Sequence, residues 1–215
     1  MSTASGERMQ GAPTRVAASR PQALAREIPT PRRPGWWGLV LVLVADVSAF
    51  ASLIASYYYT EFVTSHTWPP PGDPLPHLTK STIMTCLLAA SLVPMALADI
   101  GLKKGSRFRL MLGGLLTALL GGGFVYVELL EYLDELKTSW PTKDAYGSLF
   151  YTLTGFHVLH IMLGVLFLLM MVAAAALGRM GRRHHIVVRL FALFWYTGVV
   201  IWVILYGVLY WSVRI

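Results

Sequence analysis

Two histidines set three residues apart, His157 and His160, lie inside an apolar run long enough to cross a bilayer. Thr154 falls on the same helical face, three residues before His157. Imidazole is a common ligand of haem iron and other metals, so ligation is one chemistry that this spacing allows. A two-histidine haem site in a helical bundle needs histidines on two facing helices, however, and the remaining histidines lie in predicted connections. The pattern therefore favours hydrogen bonding inside the membrane over ligation.

Carboxylic acids also occur at membrane depth. Asp46 lies about 15 Å inside the first predicted span, and Glu128, Glu131 and Glu135 fall on one face of the third. Ionisable groups are costly in hydrocarbon, so each is expected to have a partner or a function. For Asp46 we consider a protonated acid bonded to a neighbouring helix, or a contact with a partner subunit or a proton-accessible cavity. Glu128 and Glu131 are better candidates for buried acids than Glu135.

The depths of these groups predict a specific contact. The third and fourth spans form a hairpin, and Glu128 and His157 both lie about 15 Å from its connection. By the same count, Glu131 is level with Thr154. We predict that Glu128 or Glu131 meets His157, directly or through a water molecule, because a buried acid and an imidazole offset part of each other's desolvation. In the alternative, the glutamates extend outward and the histidines bond to backbone carbonyls.

Aromatic and small residues form two further patterns. Trp195 and Trp202 belong to a stripe at helical spacing in the last span, which is more typical of packing or lipid contact than of a cofactor site. Small residues also recur at four-residue spacing, which permits close helix contact. These stripes are Ser48, Ser52 and Ser56 in the first span, and Gly114, Ala118 and Gly122 in the third, with Gly113, Thr117 and Gly121 beside them. We predict that both small-residue faces are protein contacts.

The amino-acid composition indicates that most of this chain lies in a lipid bilayer. Hydrophobic residues make up 55% of it and charged residues 13%, and the mean hydropathy is +0.57. Runs of about 20 apolar residues cross a bilayer as helices, which satisfy their own backbone groups. The predicted fold is all-α, a polytopic membrane bundle of five transmembrane helices. The predicted spans are residues 36–59, 79–100, 109–133, 147–177 and 187–213.

Charge distribution predicts how the bundle is oriented. The net charge of +7 is concentrated in the N-terminal tail and in the second and fourth connections, whereas the other two connections carry mostly acids. This alternation follows the positive-inside rule, so the N-terminus is predicted to be cytoplasmic and the C-terminus external. The same distribution argues against a nucleic-acid partner.

Two regions are expected, a disordered basic cytoplasmic tail over residues 1–34 and a membrane domain over residues 35–215. The tail is rich in Ala, Ser, Pro and Arg and has no apolar segment typical of a secretory signal. Its acidic residues Glu7 and Glu27 argue against an organellar transit peptide, so we expect the protein in a bacterial inner (plasma) membrane. Cys86 is the single cysteine, which excludes an intrachain disulfide.

Three motifs carry a resemblance to a known family. The fourth span contains Tyr146-Gly-Ser followed by Thr-Gly-Phe-His157-Val-Leu-His160. The third contains Leu-Gly-x-x-Phe-x-x-x-Glu128-x-x-Glu131-Tyr, and the first contains Asp46-x-x-x-Phe. These resemble subunit III of the haem-copper respiratory oxidases, where Gln stands at the position of Glu128 and Glu at the position of Asp46. The resemblance runs over residues 36–215 and is strongest over 120–164.

The last span departs from that family. Trp195 and Trp202 match the family's tryptophans, but its His and Asp positions hold Tyr196 and Val199. Seven-helix members also have two additional N-terminal helices, which form a lipid-holding cleft. The chain therefore resembles a short, divergent, five-helix form of subunit III.

The resemblance implies a non-catalytic accessory subunit in aerobic respiratory electron transport. It implies oxidase subunits I and II and membrane phospholipid as partners, with the haems and copper in those subunits and no redox centre, metal or cofactor in this chain. The implied roles are stabilising the catalytic subunit, binding lipid and supporting proton uptake. An accessory subunit of a nitric-oxide reductase and a small proton-coupled transporter are the alternatives. The residues expected to serve lipid binding, proton uptake or partner contact are Asp46, Glu128, Glu131, His157, His160, Trp195 and Trp202.

Overall fold

The computed structural model describes residues 34–64, 68–70, 78–137, 144–180 and 184–214. Five long helices fill most of these ranges, and each is long and apolar enough to cross a membrane, so the predicted all-α fold with five helices of spanning length is confirmed. The last helix continues into a short π-helical segment, Gly207–Trp211, and a final turn, Ser212–Arg214. The predicted tail lies outside the described residues except for its last residue. The helices are α1 (Pro34–Thr64), α2 (Leu78–Lys103), α3 (Arg107–Glu135), α4 (Ala145–Ala176) and α5 (His185–Tyr206).

Helices α2 and α3 form a tight hairpin because a glycine lies where they touch. A Cβ atom on Gly113 would lie 2.5 Å from the carbonyl oxygen of Pro94 and 2.7 Å from the amide nitrogen of Ala98. These are backbone atoms, which cannot turn aside as a side chain can. Gly113 therefore fixes the close approach of the two helices.

Helices α2 and α4 end in the same way. Gly105 and Gly178 adopt the left-handed conformation, with φ of 75° and 71°, which glycine adopts without strain. In each case the glycine amide and the next amide donate back to carbonyls of the last helical turn. This glycine-based cap satisfies carbonyls that a helix end would otherwise leave unpaired.

Two buried tryptophans fill the space between α5 and its neighbours. The indole nitrogen of Trp195 donates to the Ser91 hydroxyl at 2.9 Å, and that of Trp202 donates to the Thr85 hydroxyl at 2.9 Å. Gly164 leaves room for the first ring, since a Cβ there would lie 2.9 Å from Cε3 of Trp195. The expectation that this aromatic stripe serves packing is confirmed for both tryptophans.

The small-residue stripes of α3 and α1 differ in how far the predicted contacts are met. On α3, Gly114 and Ala118 are buried, and a Cβ on Gly114 would lie 2.8 Å from Cγ2 of Val172 in α4. The adjoining Gly113, Thr117 and Gly121 are buried as well. Nothing lies within 4 Å of a Cβ placed on Gly122, so the predicted contact at this glycine is wrong for the packing of this chain. On α1, Ser48, Ser52 and Ser56 are exposed, so a protein contact along that stripe stays a prediction about an assembled complex.

Helix α1 is attached mainly through large side chains. Its most apolar segment is 6% buried, against 33% to 44% for the corresponding segments of the other four helices. Phe50 and Tyr57 are nevertheless buried. The Tyr57 ring packs against Trp68 at a centroid distance of 5.6 Å, and Trp68 packs against Tyr146 of α4 at 5.3 Å.

Candidate intramembrane polar site

The intramembrane acid of α1 meets a histidine of α4. Asp46 Oδ2 lies 2.9 Å from His160 Nδ1. This is ion-pair distance, although the direction of approach does not meet hydrogen-bond geometry. The His160 side chain is 2% exposed and the Asp46 side chain 23% exposed. The expectation that Asp46 contacts a neighbouring helix is confirmed.

Both histidines also connect α4 to the backbone of α5. His157 Nε2 lies 3.0 Å from the carbonyl oxygen of Gly198, and His160 Nε2 lies 3.2 Å from that of Phe194. A Cβ on Gly198 would lie 2.7 Å from His160 Cδ2, so the glycine lets the ring reach the helix surface. The alternative in which the histidines bond to backbone carbonyls is therefore the one observed.

These contacts fix how protons are arranged on His160. A carbonyl oxygen only accepts hydrogen bonds, so the Nε2 atom that faces Phe194 must carry the hydrogen. In the neutral ring, Nδ1 then carries no hydrogen and faces Asp46 Oδ2. A protonated carboxyl group beside a neutral imidazole would avoid the cost of two charges in an apolar interior.

Aromatic rings enclose the two imidazoles. Phe194 stacks on His160 with centroids 4.0 Å apart. Phe124 and Trp202 pack around His157 at centroid distances of 5.3 Å and 5.0 Å, and Phe50 of α1 meets it edge-on at 6.3 Å. This packing keeps the rings in a defined orientation and excludes solvent from them.

Glu128 and Glu131 are each 1% exposed, so the alternative in which they extend outward is wrong. A direct hydrogen bond to His157 is not formed by either carboxylate, and any other form of the predicted pairing stays a prediction. His157 Nε2 is bonded to Gly198, and its Nδ1 has no hydrogen-bond partner among the described residues. The predicted hairpin of α3 and α4 is observed, and the Tyr132 hydroxyl meets Thr154 Oγ1 across it at 2.6 Å.

The remaining predicted residues, Trp195 and Trp202, are 1% and 0% exposed and line the α5 side of the same core. Sequence reasoning missed their hydroxyl partners, Ser91 and Thr85. A signal existed, because hydroxyl residues inside apolar spans often bond across helices. Among the described residues, no three His, Cys, Asp or Glu side chains come together in a way that could hold a metal ion. Partner contact or proton uptake through the seven residues stays a prediction.

Known proteins resemble this chain over the whole helical region. A family model for cytochrome c oxidase subunit III matches residues 32–213, which include all five helices and the polar site. Cytochrome c oxidase subunit 3 of Rattus norvegicus is 33% identical over 181 residues, covering 81% of this chain and 68% of the rat protein. The Mus musculus protein is 32% identical with the same coverage, and the Ornithorhynchus anatinus protein is 29% identical with the same coverage.

Proposed function

The chain belongs to the cytochrome c oxidase subunit III family, and we propose that it is the accessory subunit III of a haem-copper terminal oxidase. In that assembly subunits I and II carry the haems and copper and reduce oxygen. This chain stabilises the catalytic subunit, binds lipid and supports proton uptake. The observation that carries the proposal is the family match, because it spans the five helices and every residue of the polar site.

The contacts of the polar residues support a scaffolding role. His157 and His160 are bonded to the α5 backbone, and Trp195 and Trp202 donate to hydroxyls of α2. Each of these groups fastens one helix to another. A bundle held in this way presents a fixed surface to a partner, which is what an accessory subunit requires.

Asp46 is the member of the site that combines contact with a buried histidine and partial exposure. Its side chain is 23% exposed, whereas that of His160 behind it is 2% exposed. Within the proposed role, Asp46 is the group that contacts a partner subunit, a lipid or a proton source on the outward-facing side of the bundle. His160 holds it in place and receives its proton.

We further propose a bacterial inner membrane with the N-terminus in the cytoplasm, on the charge distribution of the connections. A cysteine introduced at Ser65, in a Cys86→Ala background, tests this orientation. Intact cells should label it with a membrane-impermeant maleimide. Labelling only after the cells are opened would contradict the proposed orientation and favour the opposite one.

Purification of the tagged full chain from its own membranes in a mild detergent tests the function. We expect haem-containing subunits to co-purify, seen by their visible absorbance, together with oxygen consumption. A colourless preparation that contains only this chain would contradict the proposal and favour a transporter. Reduction of nitric oxide in place of oxygen would favour the nitric-oxide reductase alternative.

A further inference from the structure

The inner face of α3 places Glu128 between two contacts with α4. Phe124 packs on the His157 ring with centroids 5.3 Å apart, and the Tyr132 hydroxyl meets Thr154 Oγ1 at 2.6 Å. Glu128 lies four residues after Phe124 and four before Tyr132, so the three side chains share one face of the helix. Glu128 is also 1% exposed. It is therefore enclosed at the α3–α4 interface, beside the turn that carries Thr154 and His157.

The antiparallel direction of the two helices brings Glu128 and His157 toward each other. Side chains of an α-helix lean toward the N-terminus of that helix. Glu128 therefore leans toward the level of Phe124, where the His157 ring packs, and His157 leans toward the level of Thr154. A direct hydrogen bond is not formed, because His157 Nδ1 has no hydrogen-bond partner among the described residues. The carboxyl group and the imidazole thus face the same small region of the core.

His157 Nδ1 is a buried hydrogen-bond acceptor. The Gly198 carbonyl oxygen only accepts hydrogen bonds, so the Nε2 atom that lies 3.0 Å from it carries the ring hydrogen. Nδ1 of the neutral ring then presents a lone pair, in a residue that is fully buried. A buried acceptor without a donor is unfavourable. An internal water molecule can supply the donor where a second polar group also holds it, and the packing places the Glu128 carboxyl group there.

We propose that Glu128 is a neutral carboxylic acid and that one internal water molecule links it to His157 Nδ1. The water donates to Nδ1 and accepts the hydrogen of the carboxyl group, which satisfies the buried acceptor without placing a charge in the apolar core. The neutral form is favoured because an ionised carboxylate at 1% exposure loses its hydration. The result is a site that holds one exchangeable proton between α3 and α4.

This proton-holding site is separate from the contact between α1 and α4. The His157 and His160 rings lie 6.4 Å apart, and Asp46 meets only the second of them within ion-pair distance. The family resemblance puts Gln at the position of Glu128, and a Gln side chain has no carboxyl proton to hold. The site therefore goes beyond the proposed accessory role and is specific to this sequence.

Infrared spectroscopy of the purified full chain in lipid bilayers at neutral pH tests the neutral acid. A protonated carboxyl group has a C=O stretching band that an ionised carboxylate lacks. Glu128→Gln should lose one such band. The matched control is Glu131→Gln, the same change at an equally buried acid of the same helix, and it should keep that band.

Two infrared results would overturn the proposal. If Glu128→Gln loses no band, the acid is ionised. If the same band disappears in both variants, the proton belongs to the two glutamates together and is not held between Glu128 and His157.

Nitrogen-15 NMR of the histidine-labelled full chain tests the link through water. The His157 Nδ1 resonance, assigned by its absence in His157→Asn, should have the chemical shift of a hydrogen-bonded acceptor. In Glu128→Leu it should move to the shift of a non-bonded imidazole nitrogen, because the group that holds the water is removed. It should stay in place in Glu131→Gln.

An unmoved Nδ1 resonance in Glu128→Leu would overturn the link, and so would an equal movement in Glu131→Gln. Co-purification of haem-containing subunits with the same variants, followed by visible absorbance, reports oxidase assembly separately. Failure of this site and failure of the proposed function are therefore distinguishable.

Discussion

Helix α1 and the α2–α5 bundle are held by two different kinds of contact. In the bundle, glycines bring backbones together, as at Gly113 against α2, and Trp195 fills the space beside Gly164. Helix α1 makes no comparable backbone approach and is attached through Asp46, Phe50 and the Tyr57–Trp68 contact.

This difference matters because lipid supplies no hydrophobic force to bring helices together. Close van der Waals packing therefore stabilises the bundle, whereas α1 depends on a polar pair and aromatic rings. We expect damage at the glycines to disrupt the whole bundle. Damage at Asp46 should release α1 and leave the other four helices intact.

The largest effect is expected from Gly113→Leu. Its side chain would meet backbone atoms of Pro94 and Ala98, so α2 and α3 would have to separate. Overpacking of this kind costs about 3 kcal/mol or more of unfolding free energy when backbone must move. Reversible unfolding in mixed detergent micelles measures it.

Gly122→Leu is the matched control, because it adds the same side chain to the same helix where nothing lies within 4 Å. A change within about 0.5 kcal/mol is expected for an unpacked position. Equal destabilisation by the two variants would show that backbone approach at Gly113 is not what holds α3.

The next effect concerns the acid of α1. Asp46→Leu should lower the unfolding free energy by about 1–2 kcal/mol, because it leaves His160 Nδ1 without its partner in an apolar site. Asp46→Asn should retain most of the stability, since its amide nitrogen can donate a hydrogen bond to His160 Nδ1. The same unfolding experiment compares them, and equal losses would show that a polar partner for His160 is not what stabilises this contact.

A smaller effect is expected at the hydroxyl partner of Trp195. Ser91→Ala removes the 2.9 Å hydrogen bond but leaves the ring packed. Interhelical hydrogen bonds in membranes contribute about 0.6 kcal/mol on average. A double-mutant cycle with Trp195→Phe isolates that contribution, and a coupling energy of zero would assign the tryptophan's role to packing alone.

The smallest effect is expected at a surface ion pair of the bundle. Lys80 Nζ lies 2.7 Å from Asp134 Oδ2, and both side chains are substantially exposed. Exposed ion pairs add little because solvent and salt screen them. Asp134→Asn should therefore leave the unfolding transition unchanged, and a clear shift would place this pair among the contacts that hold the bundle.

Helix number and axial position could be predicted from the sequence because both follow from apolar run length and rise per residue. Glu131 is predicted to lie level with Thr154, and its neighbour Tyr132 contacts Thr154 through its hydroxyl. Rotation about the helix axis could not be predicted in this way. His157 has the expected depth but faces the Gly198 carbonyl of α5.

The same limit explains the small-residue face of α3. Gly113 and Gly122 belong to two regular small-residue ladders that both meet neighbouring helices, and spacing alone does not say which member of a ladder is in contact. For Asp46, the sequence predicts a partner on a neighbouring helix, because an acid at that depth needs one. Which helix supplies the partner depends on how five helices arrange in space, and no local pattern encodes that.

The most direct test of whether α1 can separate from the α2–α5 bundle is a pair of spin-label distances measured in lipid bilayers. One pair joins Leu41 of α1 to Leu166 of α4, and the other joins Leu119 of α3 to Leu166, all of them exposed positions. In Asp46→Leu, we predict a broader and longer α1–α4 distribution with the α3–α4 distribution unchanged. Broadening of both distributions, or of neither, would show that α1 is not held to an independently stable bundle through this contact.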